Sequence, residues 1–465
     1  MKTLPVPIET FTQIQGGFYM FNFLKSAPAK ERLPENKIAS TYKLYRIRMF
    51  LMIFIGYSGY YLVRKNFAVA SPFLMTHFNF TKTQIGLIST GLAVAYGLSK
   101  FILGGLSDKS NVKYFIGIGL LASSVVSILM GFTSSVGLFL LLMIFNGFFQ
   151  GMGAPPCSIV IGKWFSQRER GLKMGIWNTS HNIGGGLIAP IATLCLFIFG
   201  EKYFQSIFFI PAFICIAIAI FVFLIGADTP ESVGLPPIEE FNNDYPEVKE
   251  EVAPTHLSSK EIMVKYVLKN KYVWYLALAN IFVYLIRQGI VNWIPIYLKQ
   301  QKGFSIANAN SAMFLFEYAA IPASILLGWL SDVLFKGKRA PLSILCMIGV
   351  IIATLAYWQT SNYLITMISV AFIGCFIYGP QLLIGMNLID VVPSFAVGSA
   401  TGFSGLCGYL CGELMADLVL GAIADKFGWN GAFIFILCGS IIALVLLSMT
   451  LKIKKVDNNC VAADA

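Results

Sequence analysis

Twelve apolar segments, separated by short polar stretches, dominate this chain of 465 residues. Each holds roughly 18 to 28 residues, enough to cross about 30 Å of hydrocarbon as a helix. Charged residues make up 12% of the chain, about half the share found in soluble proteins. The pattern predicts an all-α membrane protein with twelve transmembrane helices, near 49–75, 84–106, 114–133, 136–161, 174–199, 205–226, 272–297, 309–330, 342–359, 363–388, 397–422 and 430–451.

The basic residues predict the orientation of these helices. With the N-terminus inside, 25 of the 34 Lys and Arg residues fall on the inner side, five fall in outer loops, and four lie within spans. Cytoplasmic loops of membrane proteins carry this excess of positive charge. We therefore expect a multi-pass protein of the cytoplasmic (inner) membrane with both termini cytoplasmic. The net charge of +11 then reflects membrane topology, and no basic patch with interleaved aromatic residues points to nucleic acid.

A polar stretch at 227–271, with nine acidic residues, divides the spans into six and six. The predicted organisation is a cytoplasmic N-terminal segment (1–48), an N-terminal six-helix half (49–226), a cytoplasmic linker (227–271), a C-terminal six-helix half (272–451) and a cytoplasmic tail (452–465). The linker is predicted to hold one amphipathic helix around residues 258–268. These boundaries predict two halves joined by a flexible connection.

The two halves repeat one another at a nearly constant offset. Arg64 in "YLVRK" corresponds to Arg287 in "YLIRQ", 223 positions later, and Asp108 corresponds to Asp332, 224 positions later. Gly171 and Gly175 correspond to Gly398 and Gly402 at an offset of 227. Such repetition indicates a duplicated six-helix unit, and transporters built this way bind substrate at the midplane between the halves.

Arg64 and Arg287 lie deep in the predicted membrane. Each is 16 residues beyond a basic residue at the cytoplasmic edge, which corresponds to about 24 Å of helix. Charges at this depth are costly and usually mark a pathway or binding site. Two planar guanidiniums match the oxygens of a phosphate group, and their charges nearly neutralise a phosphomonoester. The residues thus predict an anionic phosphate substrate. The alternative is a structural ion pair with an intramembrane acid such as Glu317.

Other ionisable residues in the spans are more ambiguous. Lys65 is turned about 100° from Arg64, which favours a structural role, paired with an acid on a neighbouring helix. Lys100 lies near the cytoplasmic edge, where it either snorkels or adds charge to the entry path. His181 is followed by three glycines that permit close helix packing, and it is either a hydrogen-bonded structural residue or a substrate contact.

Two acids share one face of the eleventh span. Glu413 and Asp417 are four residues apart, so we expect one of them to be protonated or paired with a cation. If both face the pocket, they repel substrates that carry a second anionic group. Neither catalytic residues, a metal-ligand pattern nor a phosphate-binding glycine loop is recognisable in the sequence. We therefore expect no enzyme and no cofactor, and transport driven by exchange or by an ion gradient.

One motif is highly specific. The pattern Arg-Gly, five residues, Trp-Asn, two residues, His-Asn-aliphatic-Gly-Gly begins at Arg170 and ends at Gly185. With "GYYLVRKNFA" and "GWLSD", it resembles the bacterial organophosphate:phosphate antiporters of the major facilitator superfamily, over nearly the whole chain. The resemblance implies the major facilitator fold, in which Arg64 and Arg287 hold phosphate, supported by Lys100 and His181. It also implies that Tyr57, Tyr61 and Tyr284 line the pocket.

The sequence most resembles the glycerol-3-phosphate members of that family but departs from them at several positions. Gln288 and Phe316 stand where those members have Tyr, and Ala154 where they have Trp. Residues 378–385 are more similar to the hexose-phosphate branch, which carries an acid and a lysine on helix eleven, where this chain has Glu413 and Asp417 and no lysine. Smaller side chains at Ala154 and Gln288 would widen the pocket towards a sugar.

The predicted function is import of an organic phosphate monoester, with glycerol-3-phosphate favoured, in exchange for inorganic phosphate by a monomer. The alternatives are a hexose-6-phosphate antiporter and a hexose-phosphate sensor that does not transport. A proton-coupled drug exporter is a third reading, but two midplane arginines suit an anion better than a lipophilic cation.

Overall fold

The computed structural model describes residues 11–14, 18–21, 24–244, 259–335, 338–393 and 396–453. A short antiparallel hairpin of β1 (Phe11–Ile14) and β2 (Phe18–Phe21) precedes the helices. The N-terminal half consists of α1 (Glu35–Phe78), α2 (Lys82–Ser107), α3 (Val112–Met130), α4 (Val136–Gln150), α5 (Ala154–Trp164), α6 (Gln167–Asn178), α7 (Ser180–Phe199) and α8 (Ser206–Ile225).

The linker contributes α9 (Ile238–Asn242) and α10 (Ser259–Ile262), which continues as a π-helical turn, Met263–Leu268. The C-terminal half consists of α11 (Lys271–Val291), α12 (Ile294–Gln300), α13 (Ile306–Val333), α14 (Arg339–Gln359), α15 (Tyr363–Val391), α16 (Val397–Cys407) and α17 (Leu420–Met449). Two π-helical segments, Gly408–Gly412 and Met415–Val419, connect α16 to α17. The predicted linker helix is therefore present from Ser259, while residue 258 lies outside the described residues.

These helices are consistent with the predicted twelve spans. By length and composition, nine helical stretches of the described residues could cross a membrane. The last of these, Val397–Lys452, contains two spans, because the chain reverses at Gly428, whose φ of 68° favours glycine. Helices α1 and α2 complete the set, giving an all-α protein with twelve transmembrane helices. Helix α1 begins at Glu35, fourteen residues before the predicted span, because its first turns extend beyond the apolar run.

Two spans are interrupted by breaks that precede prolines. The fourth span breaks between α4 and α5 at Gly151–Gly153, just before two prolines that cannot continue a regular hydrogen-bond ladder. The seventh span breaks between α11 and α12 at Asn292 and Trp293, again just before a proline. Discontinuous helices are a recurrent feature of transporter binding sites, since they free polar groups near the midplane.

Close helix packing joins the elements around the centre. Helix α7 packs against α1 within the first half and against α13 of the second half. A Cβ atom on Gly184 would lie 2.1 Å from the carbonyl oxygen of Ser58, so only glycine allows α7 to approach α1 this closely. This agrees with the prediction that the glycines after His181 permit close packing.

The side of the protein opposite the linker is held closed by contacts between the halves. Asp425, on α17, accepts hydrogen bonds from two backbone nitrogens at the start of α2. These are the nitrogens of Lys82 (3.2 Å) and Thr83 (2.7 Å). The Thr83 hydroxyl donates to the same carboxylate at 2.7 Å. The Lys299 ammonium lies 4.7 Å from the ring centre of Phe73, across the same boundary. These contacts close the route between the halves on that side.

Candidate substrate-binding site

A polar cavity of about 410 Å³ lies between the two halves. Helices α1, α2, α5, α6 and α7 form its wall on one side, and helices α11, α15 and the segment after α16 form the wall on the other. Six of the seven residues predicted to bind substrate line it: Tyr57, Tyr61, Lys100, His181, Tyr284 and Arg287. None of the described residues that line this cavity is acidic, so Lys100 and Arg287 make it electropositive.

Further cavity residues were not predicted. Tyr96, Tyr409 and Gln381 complete the polar wall, together with Ser158 from α5. Tyr96 lies one helical turn before Lys100, and Tyr409 lies one turn before Glu413. A search for polar residues four positions from the intramembrane charges would therefore have found both tyrosines. Their rings contact each other edge to face, with centroids 5.1 Å apart, and the Lys100 ammonium lies about 6 Å from each ring.

Arg287 is held by a network within the second half. Its Nη2 donates to the Tyr378 hydroxyl at 2.6 Å, and its Nη1 donates to Gln381 Oε1 at 3.1 Å. The Tyr378 hydroxyl donates in turn to Glu317 Oε2 at 2.8 Å, and Asn182 from the first half donates to the same oxygen at 2.8 Å. Glu317 is thus linked to Arg287 through a tyrosine, while its own position is fixed by contacts from both halves.

Three buried nitrogens of the cavity residues lack hydrogen-bond partners among the described residues. They are Arg287 Nε, His181 Nε2 and Trp177 Nε1. Buried polar groups in proteins are almost always paired, and each unpaired one costs free energy. The three residues line one electropositive cavity, whose polar wall is chemically suited to a ligand with acceptor oxygens.

Arg64 is placed differently from Arg287. It does not line the large cavity. Its guanidinium instead lies 4.4 Å from the ring centre of Tyr96 and 5.4 Å from that of Tyr61, and both tyrosines line that cavity. Its Nη2 atom lies 3.7 Å from Glu413 Oε1 across the boundary between the halves. In this conformation the two arginines therefore line different cavities. Arg64 nevertheless contacts Tyr61, whose side chain lines the large cavity.

Lys65 takes part in a second network that connects the halves. Its ammonium donates to Gln288 Oε1 at 3.1 Å and to Asn292 Oδ1 at 2.7 Å. The amide of Gln288 donates to Glu413 Oε1 at 2.8 Å, and the amide of Asn292 donates to Asp417 Oδ1 at 2.9 Å. Two amides therefore lie between the cation and the two carboxylates. This arrangement agrees with a structural role for Lys65.

These contacts revise one expectation about the pocket. Arg64, Lys65, Gln288, Glu413 and Asp417 line a separate cavity of only about 30 Å³. The two acids therefore do not face the large cavity, and they are balanced by two neighbouring cations. The expected repulsion of a second anionic group required the acids to face the pocket, a condition that the structure does not meet.

The positions that were expected to widen the pocket are also divided between the large and the small cavity. Ala154 lines the large cavity, whereas Gln288 is engaged by Lys65 and Glu413 in the small one. Phe316 is fully buried and packs near Tyr378. Only Ala154 enlarges the space available to a substrate. Among the described residues, no cluster of His, Cys, Asp and Glu is suited to hold a metal ion.

Two six-helix halves around a buried polar cavity are the architecture of a class of membrane transporters. The sequence model of the Major Facilitator Superfamily matches residues 53–416. The chain belongs to this superfamily, whose members are transporters rather than enzymes.

Relatives of known annotation support the predicted branch. The chain is 47% identical over 437 residues to the glycerol-3-phosphate transporter of Bacillus subtilis, covering 93% of this chain and 98% of the relative. It is 40% identical to the phosphoglycerate transporter protein of Salmonella typhimurium, covering 92% and 93%. It is 36% identical to the membrane sensor protein UhpC of Escherichia coli, covering 92% and 98%. The predicted resemblance to the organophosphate transporters is confirmed.

Solved structures agree with the fold. A bacterial homologue of the human lysosomal transporter Spinster, in an inward-facing and unoccupied conformation, superposes with a TM-score of 0.69 at 16% identity. The match covers 88% of this chain and 97% of the homologue. At this identity the similarity concerns the fold alone.

Proposed function

We propose that the protein is a secondary transporter that imports an organic phosphate monoester, with glycerol-3-phosphate favoured, in exchange for inorganic phosphate. The halves would alternate about the central cavity, exposing it to one side of the membrane at a time. The proposed orientation places both termini and the linker in the cytoplasm of the inner membrane. In this orientation, the contacts of Asp425 close the outer side.

One observation carries this proposal. Arg287, His181 and Trp177, each with a buried nitrogen that has no hydrogen-bond partner among the described residues, line a cavity that also holds Lys100 and has no acid in its described lining. A phosphate group offers the acceptor oxygens and the negative charge that such a site lacks. Planar guanidinium donors bind phosphate more specifically than a point charge does. Exchange of one phosphate-containing anion for another leaves this electropositive cavity neutralised in both directions of the cycle.

Arg64 is proposed as the second phosphate ligand. It corresponds to Arg287 in the duplicated unit, and its guanidinium lies against Tyr61 at the edge of the large cavity. Reaching a bound phosphate requires Arg64 to leave Glu413, from which it is separated by 3.7 Å. A substrate dianion offers this cation more charge than the carboxylate does, so binding would draw Arg64 into the site.

The organic part of the substrate faces tyrosine hydroxyls and small residues. Tyr57, Tyr284 and Ser158 supply hydroxyls that suit a polyol, and Ala154 leaves room beside them. Glycerol-3-phosphate is preferred because the relative with 47% identity is named as its transporter. The absence of acids from the described lining also permits a carboxylate next to Lys100, as in the substrate that names the phosphoglycerate relative.

A second candidate function is that of a non-transporting sensor of a hexose phosphate. It is favoured by the similarity to a membrane sensor protein over nearly the whole chain and by the room that Ala154 leaves for a larger substrate. The two functions differ in a single property, since a sensor needs to bind its ligand but does not need to move it.

The discriminating experiment uses the purified protein in vesicles loaded with inorganic phosphate. We expect labelled glycerol-3-phosphate to enter only when phosphate is inside, and unlabelled glycerol-3-phosphate to compete better than glucose-6-phosphate or 3-phosphoglycerate. Lys100→Gln should weaken this uptake, whereas the control Lys113→Gln, which removes a lysine outside the cavity lining, should not. Binding without uptake would identify a sensor, and stronger competition by glucose-6-phosphate would identify a hexose-phosphate carrier.

A further inference from the structure

A second large groove lies on the outer surface of the N-terminal half, on the side of the linker. It has a volume of about 510 Å³ and shares no lining residue with the central cavity. Helix α1 forms one wall, and the region from the end of α5 into α6 forms the other. Phe241 of α9 closes one end by stacking on Tyr42, with ring centroids 4.2 Å apart.

The groove lies at the predicted membrane edge, where the first apolar span begins at residue 49. On α1, Leu44, Ile47 and Leu51 follow helical spacing and are 54%, 53% and 42% exposed. On α6, Leu172 and Ile176 are also exposed. In a protein with twelve transmembrane helices, exposed apolar stripes of this kind face lipid chains. Ile47 and Leu51 themselves line the groove, so its apolar part is continuous with the lipid-facing surface.

The groove also carries positive charge. Lys43, Arg46 and Lys173 line it, and their positive charges lie beside aromatic rings. The Phe165 ring has the Arg46 guanidinium 5.0 Å and the Lys173 ammonium 5.5 Å from its centre. Arg46 also pairs with Glu169. Among the described residues, neither lysine forms an ion pair, so two positive charges remain available to an anion.

Along α1, the distance from Lys43 to Leu51 suits a phospholipid, while the Lys173 ammonium lies beside the apolar wall, 5.3 Å from the ring centre of Phe50. Lys43 and Leu51 are eight residues apart on α1, or about 12 Å along the helix axis. Lys43 is nearer the linker and the predicted membrane edge, while Leu51 is deeper in the membrane. Basic pockets at the edge of membrane helices bind anionic headgroups, and each cation near the surface contributes appreciably to the affinity.

We infer that this groove binds an anionic phospholipid from the leaflet on the linker side. Its phosphate lies between Lys43 and Lys173, and one acyl chain follows Phe50, Ile47 and Leu51. A free phosphate ion would match the lysines but would gain nothing from the aliphatic and aromatic walls. The positive-inside count predicts that this leaflet is cytoplasmic, but the lipid site does not depend on the transport function proposed above.

The test compares lipids retained by the full-length protein. Purified protein is equilibrated in detergent with equal amounts of phosphatidylglycerol and phosphatidylcholine, and bound lipids are counted by native mass spectrometry. We expect the wild type to retain phosphatidylglycerol selectively. Lys43→Gln with Lys173→Gln should weaken this binding on the order of 30-fold, because two surface cations are lost. The control double variant, Lys269→Gln with Lys271→Gln, removes two lysines on the same side of the other half and should retain the lipid.

Helix content and monodispersity of both double variants show whether they are folded. Equal retention of phosphatidylglycerol by the wild type and the Lys43/Lys173 variant would overturn the inference, as would equal loss in the control variant. Retention of phosphatidylcholine at the same level would show that the groove does not select an anion. Displacement of the lipid by millimolar inorganic phosphate would show that the groove is a phosphate site and not a lipid site.

Discussion

Arg64 and Glu413 lie on opposite halves of the protein, with Arg64 Nη2 positioned 3.7 Å from Glu413 Oε1 and with side chains only 6% and 4% exposed. Both belong to the small cavity beside the substrate site. The contact therefore joins the halves. It also pairs Arg64 with a carboxylate, whereas the proposed function has Arg64 bind phosphate. A bound phosphate and Glu413 are alternative partners of Arg64.

The first prediction concerns this competition. Glu413→Gln keeps an oxygen that can accept the hydrogen bond from Gln288 but removes the negative charge next to Arg64. We expect inorganic phosphate to bind on the order of tenfold more tightly, because a contact between charged groups no longer has to be broken. Asp417→Asn serves as the control, since Asp417 bonds to Asn292 and should change phosphate affinity less. Unchanged phosphate affinity in Glu413→Gln would show that Glu413 does not compete.

The second prediction concerns Lys65. Lys65→Met removes the cation that both Gln288 and Asn292 bind, and leaves two buried acids with Arg64 as the remaining cation. We expect a loss of stability of about 3–5 kcal/mol, the usual cost of leaving buried charge uncompensated. The measurement is thermal or denaturant unfolding of the purified protein in detergent.

A compensating substitution distinguishes the loss of charge from the loss of packing as the cause of lower stability in Lys65→Met. Adding Asp417→Asn to Lys65→Met removes one uncompensated carboxylate and should recover a substantial part of the lost stability. If the double variant is no more stable than Lys65→Met alone, the lysine acts through packing or through its amide contacts, and the charge balance of the network is not the reason for its presence.

The third prediction concerns the closed side of the protein. Asp425→Ala removes three hydrogen bonds to Lys82 and Thr83 across the halves. Each of these exposed hydrogen bonds is weakened by solvent, but the loss of all three together should shift the population towards opening on this side. Spin labels at Thr76→Cys and Lys426→Cys, in a background without other cysteines, should report longer distances in Asp425→Ala. The control Glu201→Ala changes an acid in another loop on the same side, and an equal shift there would contradict this role of Asp425.

The fourth prediction concerns orientation. A cysteine at Asn242, the last residue of α9 in the linker, should resist impermeant thiol reagents in intact cells and react in inverted vesicles. A matched cysteine at Lys202, between α7 and α8, should show the opposite pattern. The reason is the excess of basic residues on the linker side. Labelling of Asn242→Cys from outside would reverse the orientation and with it the direction of proposed import.

The fold could be predicted largely from the sequence because membrane spans have a strong local signal. Twelve apolar runs and an internal offset near 223 specify the helices and their duplication. Helix ends were less predictable: α1 begins fourteen residues early because polar residues such as Lys37 and Lys43 are compatible with helix outside the hydrocarbon. The broken spans follow from prolines, but their consequence for the site depends on which helices meet there.

The site was only partly predictable. Residues with an unusual property for a membrane span, such as Arg287, Lys100 and His181, were identified and line the large cavity. The amide of Asn292 was missed because an uncharged residue near a helix end carries little signal. The separation of Arg64 from the large cavity also could not be read from sequence. It depends on the Tyr61 and Tyr96 rings and on Glu413, which is contributed by the other half.

In the proposed transporter, Arg64 and Arg287 act together on one phosphate. Arg64→Lys and Arg287→Lys each keep the charge but lose the planar fork. Losing a buried charge-assisted contact of this kind costs about 2–5 kcal/mol. Both variants should therefore bind phosphate more than about tenfold more weakly, while expression and membrane insertion remain normal. Lys113→Arg, outside the cavity lining, is the matched control.

The most direct measurement is exchange of labelled inorganic phosphate across vesicles loaded with unlabelled phosphate, recorded for the wild type and the two arginine variants over a range of phosphate concentrations. Both variants are expected to lose exchange at low phosphate and to require much higher phosphate concentrations. If either variant exchanges phosphate with the affinity of the wild type, the two-arginine site is wrong. Phosphate would then be held by the remaining arginine, and the substituted one would serve only the contacts between the halves.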